Sequence, residues 1–149
     1  MKNIFDDTYF MKKALQEAEA AYEKGEIPVG AVIVIDNKVI ARAHNLTETL
    51  NDVTAHAEMQ AITSAANFLG GKYLLNCTLY VTLEPCQMCA GALYWSQISQ
   101  IVYAAKDEHR GFGVMKTKLH PKTKIVGGIM ENEASELLKQ FFINKRNLN

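Results

Sequence analysis

Two short segments of this chain carry side chains that can do chemistry together: His56-Ala57-Glu58 and Pro85-Cys86-Gln87-Met88-Cys89. Cys86 and Cys89 are three apart, so on a helix both sulfurs face one side, within reach of a single ion. His56 and Glu58 are two apart, about 200° around a helix axis. Both can face one site only if that site lies off the helix end. Both segments fall where helices are expected to begin, and the partial positive charge of a helix N-terminus favours the thiolate, the form that binds metal. His56, Cys86 and Cys89 then make three zinc ligands, leaving one position open for water as in catalytic sites. Cys77 and His44 are the spare candidates for a fourth ligand, and neither has pair spacing to the others. Glu58, as a free carboxylate beside that water, suits proton transfer.

A redox pair is the competing reading of Cys86 and Cys89, but Pro85 stands where a thioredoxin-like motif has an aromatic-glycine approach. Three cysteines with one tight pair do not form a secreted disulfide framework, so the sequence points to a reducing, cytoplasmic setting. No apolar run reaches the roughly 18 residues of a membrane span, and the first residues do not read as a secretory signal.

The 149 residues suit one domain, 48% hydrophobic and 21% charged, which is a globular composition. Sixteen basic and sixteen acidic side chains balance, against a protein that coats nucleic acid non-specifically. The distribution is uneven: residues 1–105 carry a net −4 and residues 106–149 a net +4. Much of the basic excess lies in Lys106, Arg110, Lys116, Lys118, Lys122 and Lys124. A lysine-rich loop of this kind is more often a solubilising feature than a phosphate site.

The elements that must position the two segments can be read from periodicity. Residues 7–24 predict an amphipathic helix, with Phe10, Ala14, Ala18 and Ala21 on one face, Asp6 or Asp7 as cap and Gly25 as stop. Ala31–Asp36 and Val39–Ala43 predict a hairpin. A second helix is expected from about Thr54, capped by Asp52 or Thr54, to Gly70-Gly71. Cys77–Leu83 reads as a strand ended by Pro85, followed by a helix over 86–96 and a strand over 101–105. A short strand near 124–126 and a helix from 131 to about 145 complete the chain. This order predicts a mixed sheet covered by helices on both faces. The third helix is apolar all round through Met88, Ala92, Leu93 and Trp95, so Trp95 belongs either to the core or to a subunit interface.

The pairing of His56-Ala57-Glu58 with Pro85-Cys86-x-x-Cys89 resembles the signature of the zinc-dependent nucleoside and nucleobase deaminases. Within that class the chain is similar to the bacterial tRNA-specific adenosine deaminases over nearly its whole length. Residues 25–32, 54–58 and 78–92 carry the similarity, with Phe141-Phe142 near the end. The resemblance implies a three-layer α/β/α fold of the cytidine deaminase type, with about five strands in a mixed sheet. It implies zinc on His56, Cys86 and Cys89, Glu58 as proton shuttle, Asn45 contacting the nucleobase and Asp107 on the substrate side. It also implies a homodimer acting on adenosine in a tRNA anticodon loop, at the wobble position.

The chain departs from that pattern at Ser96-Gln97, at Ala104-Ala105-Lys106-Asp107 and at Gly111-Phe112-Gly113, where the family usually has Ser-Arg, Gly-Ala-Arg-Asp and a Gly-Ser stretch. Tyr94-Trp95 and Tyr103-Ala104-Ala105 instead resemble guanine deaminases of the same superfamily. Free guanine or cytosine is therefore the alternative substrate. A non-catalytic zinc or redox-linked binding domain is the alternative of another class. From the residues alone, Asn45 reads as a turn cap after the second strand, and His109 and His120 as loop residues.

Overall fold

The structure, a computed structural model, describes residues 4–147. The chain runs α1 (Asp7–Glu23), β1 (Gly30–Ile35), β2 (Lys38–His44), α2 (Ala57–Leu69), β3 (Thr78–Leu83), α3 (Gln87–Ser96), β4 (Gln100–Ala105), β5 (Lys124–Gly127) and α4 (Glu131–Asn147). One five-stranded sheet has the order β2-β1-β3-β4-β5. β1 pairs antiparallel with β2 and β3, and β3, β4 and β5 are parallel. This is the mixed sheet and three-layer arrangement expected from the alternation of elements.

The layers follow from which side chains each strand turns to each face. Ala31, Ile33, Leu79, Val81 and Ile101 pack with Ala57, Ala61 and Ala65 of α2 and Leu93 of α3 on one face. Val32, Val34, Tyr80, Val102 and Ala104 pack with Phe10, Met11 and Ala14 of α1 and Ala134 of α4 on the other. The period-two alternation along β1 (31 and 33 against 32 and 34) is that of a strand buried on both sides. A fully buried leucine such as Leu79 contributes about 2–5 kcal/mol relative to alanine.

Local signals explain the boundaries. Asp6 caps α1, its Oδ1 accepting from the Tyr9 N–H at 2.8 Å. Asp36 and Asn37 take φ of 49° and 60°, giving the hairpin a tight two-residue turn that favours Asn and Asp. Gly70 closes α2 in the left-handed conformation, as expected. The start of α2 differs from the sequence expectation. Asp52 accepts from the Thr54 N–H and hydroxyl at 2.8 and 2.7 Å, which makes a local turn, and His56 is the N-cap. The helix begins three residues later than Thr54 because those capping side chains satisfy each other. No helix among the described residues is long and apolar enough to cross a membrane.

The sheet brings the interesting ends together. β3 and β4 are parallel, with Leu83 opposite Ala105, so their carboxyl ends lie side by side. β1 runs the other way, so its start at Gly30 lies at that same end, where the Gly30 N–H donates to the Thr82 hydroxyl at 3.1 Å. Gly30 is required there, because a Cβ would fall 2.1 Å from the Ala14 carbonyl of α1.

The loop after β2 is held by a buried carboxylate. Glu26 is fully buried and accepts from the Glu48 N–H, the Thr49 N–H and the Thr49 hydroxyl at 3.0, 2.7 and 2.6 Å. Burial pushes its carboxyl up, but these bonds outweigh it and hold the group below its ordinary value of 4.5. A carboxylate with a lowered folded value contributes stability above the unfolded value and loses it as pH falls through the folded one. Glu26→Gln is therefore expected to cost about 1–3 kcal/mol at pH 7. The gap to wild type should narrow as pH falls below 4.5, measured by urea denaturation across that range.

Candidate active site

The N-cap residue of α2 is His56, and that of α3 is Cys86. Both backbones are extended (φ −70°, ψ 154° and φ −72°, ψ 174°), as N-caps should be, yet neither side chain makes a capping hydrogen bond. A capping side chain is ordinarily worth about 1 kcal/mol. These two are turned toward one another instead. The Cys86 and Cys89 sulfurs each lie 3.6 Å from His56 Nδ1. Zinc bonds of ~2.3 Å to sulfur and ~2.0–2.1 Å to nitrogen at tetrahedral angles place S and N about 3.6 Å apart. Both S–N separations therefore match those of a tetrahedral zinc site.

His56, Cys86 and Cys89 are the one cluster of this kind among the described residues. Neither spare ligand joins it. Cys77 is buried in the core. His44 is held between Glu17 and Lys24, each at 2.9 Å from a different ring nitrogen. Three protein ligands make an open site, not a closed structural one. The histidine also gives the two sulfurs a third partner that a redox pair has no use for.

The charges suit a cation. The hydrogen bond from Cys89 is the largest cause pushing the Cys86 thiol down to about 4, and His56 adds to it against the effect of burial. Cys89 is pushed the other way by the same hydrogen bond and by its own burial. His56 is raised, first by its hydrogen bond with Cys86.

Glu58 stands in the first turn of α2 at 4% exposure, its carboxylate beside the Cys89 thiol. Burial is the largest cause pushing it up, to about 7. The 200° between His56 and Glu58 is resolved as anticipated, because the site lies off the helix end and meets both.

A cleft of about 950 Å³ opens over this cluster, lined by His56, Glu58 and Cys86. This is the upper range for ligand sites. Its walls come from the strand ends described above: Ile27 and Val29 before β1, Asn45 after β2, Leu83 at the end of β3 with Glu84 after it, Lys106 and Asp107 after β4. Ligands of open α/β sheets bind in such crevices at the carboxyl ends of strands. Ser135, Leu138 and Phe142 of α4 close one side.

Asn45 and Asp107 both line the cleft, and both also serve their own loops. Asn45 is 6% exposed; its Oδ1 accepts from the Thr47 N–H and its Nδ2 donates to the Ile27 carbonyl. The turn-capping reading and the cleft reading of Asn45 hold together. Asp107 Oδ1 accepts from the His109 and Arg110 N–H groups at 3.0 and 2.9 Å. Loop residue His109 lines the cleft too, whereas His120 packs against the Tyr94 ring. Of the basic residues in 106–124, Lys106 and Arg110 line the cleft, while Lys116, Lys118, Lys122 and Lys124 are exposed away from it.

Sequence reasoning missed the two buried carboxylates, Glu26 and Glu84, that bind the loops on either side of the cleft. The available signal was a lone acidic residue inside an apolar stretch, Glu84 between Leu83 and Pro85 and Glu26 before Ile27-Pro28-Val29. Trp95 is 77% exposed, so the core reading of that residue is wrong; α3 buries Cys89, Ala90 and Leu93 and leaves its other side open.

Comparison with known proteins agrees with this geometry. A tRNA-specific adenosine deaminase from Aquifex aeolicus is 48% identical over 145 residues, covering 93% of this chain and 95% of that protein. A solved structure from a study of A-to-I editing by tRNA:A34 deaminases at the wobble position of transfer RNA matches with TM-score 0.80 and 43% identity. It covers 88% of this chain and 99% of that one. A guanine deaminase from Bacillus subtilis matches with TM-score 0.62 and 45% identity, over 65% of this chain and 62% of its own. Residues 5–105 match the family model of the cytidine and deoxycytidylate deaminase zinc-binding region. The open three-ligand set, the buried glutamate and these matches agree: the chain belongs to the cytidine and deoxycytidylate deaminase family.

Proposed function

We propose that this enzyme converts adenosine to inosine in tRNA, at the wobble position of the anticodon loop. The observation that carries the reading is a buried carboxylate, Glu58, set beside His56, Cys86 and Cys89, whose ligand atoms come within reach of one metal ion at the floor of an open cleft. The near full-length identity to a tRNA-specific adenosine deaminase supports the substrate. So do Lys106 and Arg110, two cations at the cleft that suit a phosphate backbone. An unpaired loop base also avoids most of the cost of extracting a base from a duplex.

His56, Cys86 and Cys89 would hold the zinc, which when bound would supply a Lewis acid able to lower the pKa of water to ~7. Glu58 takes a proton from the attacking water and delivers it to the ring nitrogen next to C6, which makes C6 more electrophilic. Oxygen adds to C6; the hydroxyl so formed gives its remaining proton to Glu58, which passes it to the amine as the C6–N bond breaks and ammonia leaves. Water is consumed and inosine formed. Asn45, fixed by Thr47 and Ile27, has one amide hydrogen and one lone pair left for the base. Asp107 lines the cleft, and we assign it to the substrate side. Two cysteine ligands kept reduced suit the cytoplasm.

A second reading, a free-base guanine deaminase, is favoured by the Bacillus subtilis match and by Tyr94-Trp95 and Tyr103-Ala104-Ala105. An ammonia-release assay on tRNA, guanine, cytosine and free nucleosides separates the two. Turnover of guanine with none on tRNA would overturn the first reading and leave the zinc chemistry intact.

We also propose a homodimer joined through the outer face of α3, where Trp95 is exposed beside half-buried Met88 and Ala92. An isolated exposed tryptophan on an apolar helix face is what an interface core requires. Light scattering should report a dimer at micromolar concentration, and Trp95→Glu should yield monomers because an unpaired charge is costly to bury. A monomeric wild type rejects this.

Glu58→Gln should keep one zinc per chain and lower the turnover number by ~10²–10⁴, the contribution of a positioned proton carrier. Substantial activity in that variant would remove Glu58 from the reaction, and loss of zinc would make it a ligand. For RNA binding, alanine at Lys106 and Arg110 should reduce the salt slope by about 0.7 per lost phosphate contact. The same change at Lys116, Lys118, Lys122 and Lys124 tests whether the outer loop tracks phosphates as well.

A further inference from the structure

Glu84 is 3% exposed and lies immediately before Pro85 and the ligand Cys86. Its own N–H donates to the Ala105 carbonyl at 2.8 Å, which extends the pairing of β3 and β4 by one step. Its carboxylate reaches across to the loop after β4. Oε1 accepts from the Asp107 N–H and Oε2 from the Gly113 N–H, both at 3.0 Å. No ion pair among the described residues involves it. A buried charge is thus satisfied by backbone donors instead of a cation.

The same two segments also meet in an antiparallel bridge. The Phe112 N–H donates to the Pro85 carbonyl at 2.9 Å, and Gly111 forms a bridge with Cys86. Gly111 is pressed so close that a Cβ would lie 2.4 Å from Glu84 Oε1. Asp107 is one of the two residues whose amides Glu84 binds, and between it and Gly113 lie Glu108, His109 and Arg110; these four line the cleft. The Asp107 carboxylate in turn orders the His109 and Arg110 amides.

The choice of a carboxylate is informative. Two N–H groups converge on this side chain, and only an acceptor-only group satisfies both; a glutamine would turn its NH₂ against one of them. An apolar residue would leave both donors without this partner. For stability alone, a longer strand pairing would serve without burying a charge.

We propose that Glu84 is a positioning residue: it sets the 107–113 loop over the cleft relative to Cys86, so that the substrate-facing loop and the metal-holding turn move as one unit. This rests on the deaminase reading above for what the loop contacts, and on the hydrogen bonds alone for how it is held. Loop residues that touch the nucleotide equally before and during reaction affect KM, with little effect on kcat.

The test uses the full-length zinc-loaded protein and its Glu84→Gln variant. The variant is expected to keep one zinc per chain. Its Asp107 or Gly113 amide should exchange about 10-fold faster or more, the effect of losing one charge-assisted hydrogen bond, while β3 and β4 amides keep their protection. The KM for tRNA should rise by a similar factor with kcat little changed. Gly111→Ala attacks the same contact from the loop side and serves if Glu84→Gln does not fold. Combining the two should add little to either alone, because they break one contact. Glu26→Gln, which releases the other loop, should leave the 107 and 113 amides untouched. Unchanged exchange at both amides overturns the proposal. So does exchange that accelerates evenly across β3 and β4 with KM unchanged, the signature of a merely stabilising residue. If the wild type is idle on tRNA, the substrate reading fails, and the exchange comparison decides the positioning claim alone.

Discussion

Two helix starts must meet within the reach of one ion, and the rest of this structure is arranged around that requirement. His56 and Cys86 occupy N-cap positions of α2 and α3 and leave the ordinary capping bonds unmade. Their side chains converge with Cys89 at 3.6 Å separations. Such convergence is demanding, because S and N atoms must keep a tetrahedral spacing to within a few tenths of an ångström. Loops alone do not hold such tolerances. Here both helices are packed on the same face of the sheet, with Ala57, Ala61 and Ala65 of α2 and Leu93 of α3 fully buried. The alanines let α2 lie close to the sheet, and Cys89 itself is part of the buried side of α3.

Around this centre the chemistry is graded by burial. Cys89 and Glu58 are deepest, and the Glu58 carboxyl is pushed up where water is scarce. His56 and Cys86 are half-buried at the floor of the cleft, while Lys106 and Arg110 stand exposed beside it. The strand directions supply this gradient. Parallel β3 and β4 deliver their ends, with antiparallel β1 starting alongside, to one crevice. Glu26 and Glu84 then tie the loops on either side back to the framework.

The reactive residues were legible because their information is local. A Cys-x-x-Cys pair after proline and a His-x-Glu at a helix start are spacings, and spacing is fixed by covalent geometry. The amphipathic face of α1, the stop at Gly70 and the strand end before Pro85 were legible for the same reason. The capping of α2 was not. Asp52 and Thr54 have the right types for a cap, but they satisfy each other, and which donor a short polar side chain finds depends on the turn it sits in. Lys106 and Arg110 could not be separated from the other basic residues of their segment, since a charge run does not reveal which of its members face a cleft.

By itself the sequence determined which residues are candidates for the site, His56, Cys86 and Cys89 with Glu58 near them, and the alternation of elements that gives a mixed, two-faced sheet. The tertiary structure decided the rest. It placed Trp95 on the surface at 77% exposure, where the apolar pattern of α3 allowed core or interface alike. It also turned Glu26 and Glu84 into buried acceptors. Glu84 takes its hydrogen bonds from residues 23 and 29 positions further along the chain. Burial of a charge is decided by what folds over it, and a window of neighbouring residues carries no record of donors that arrive from a different strand end.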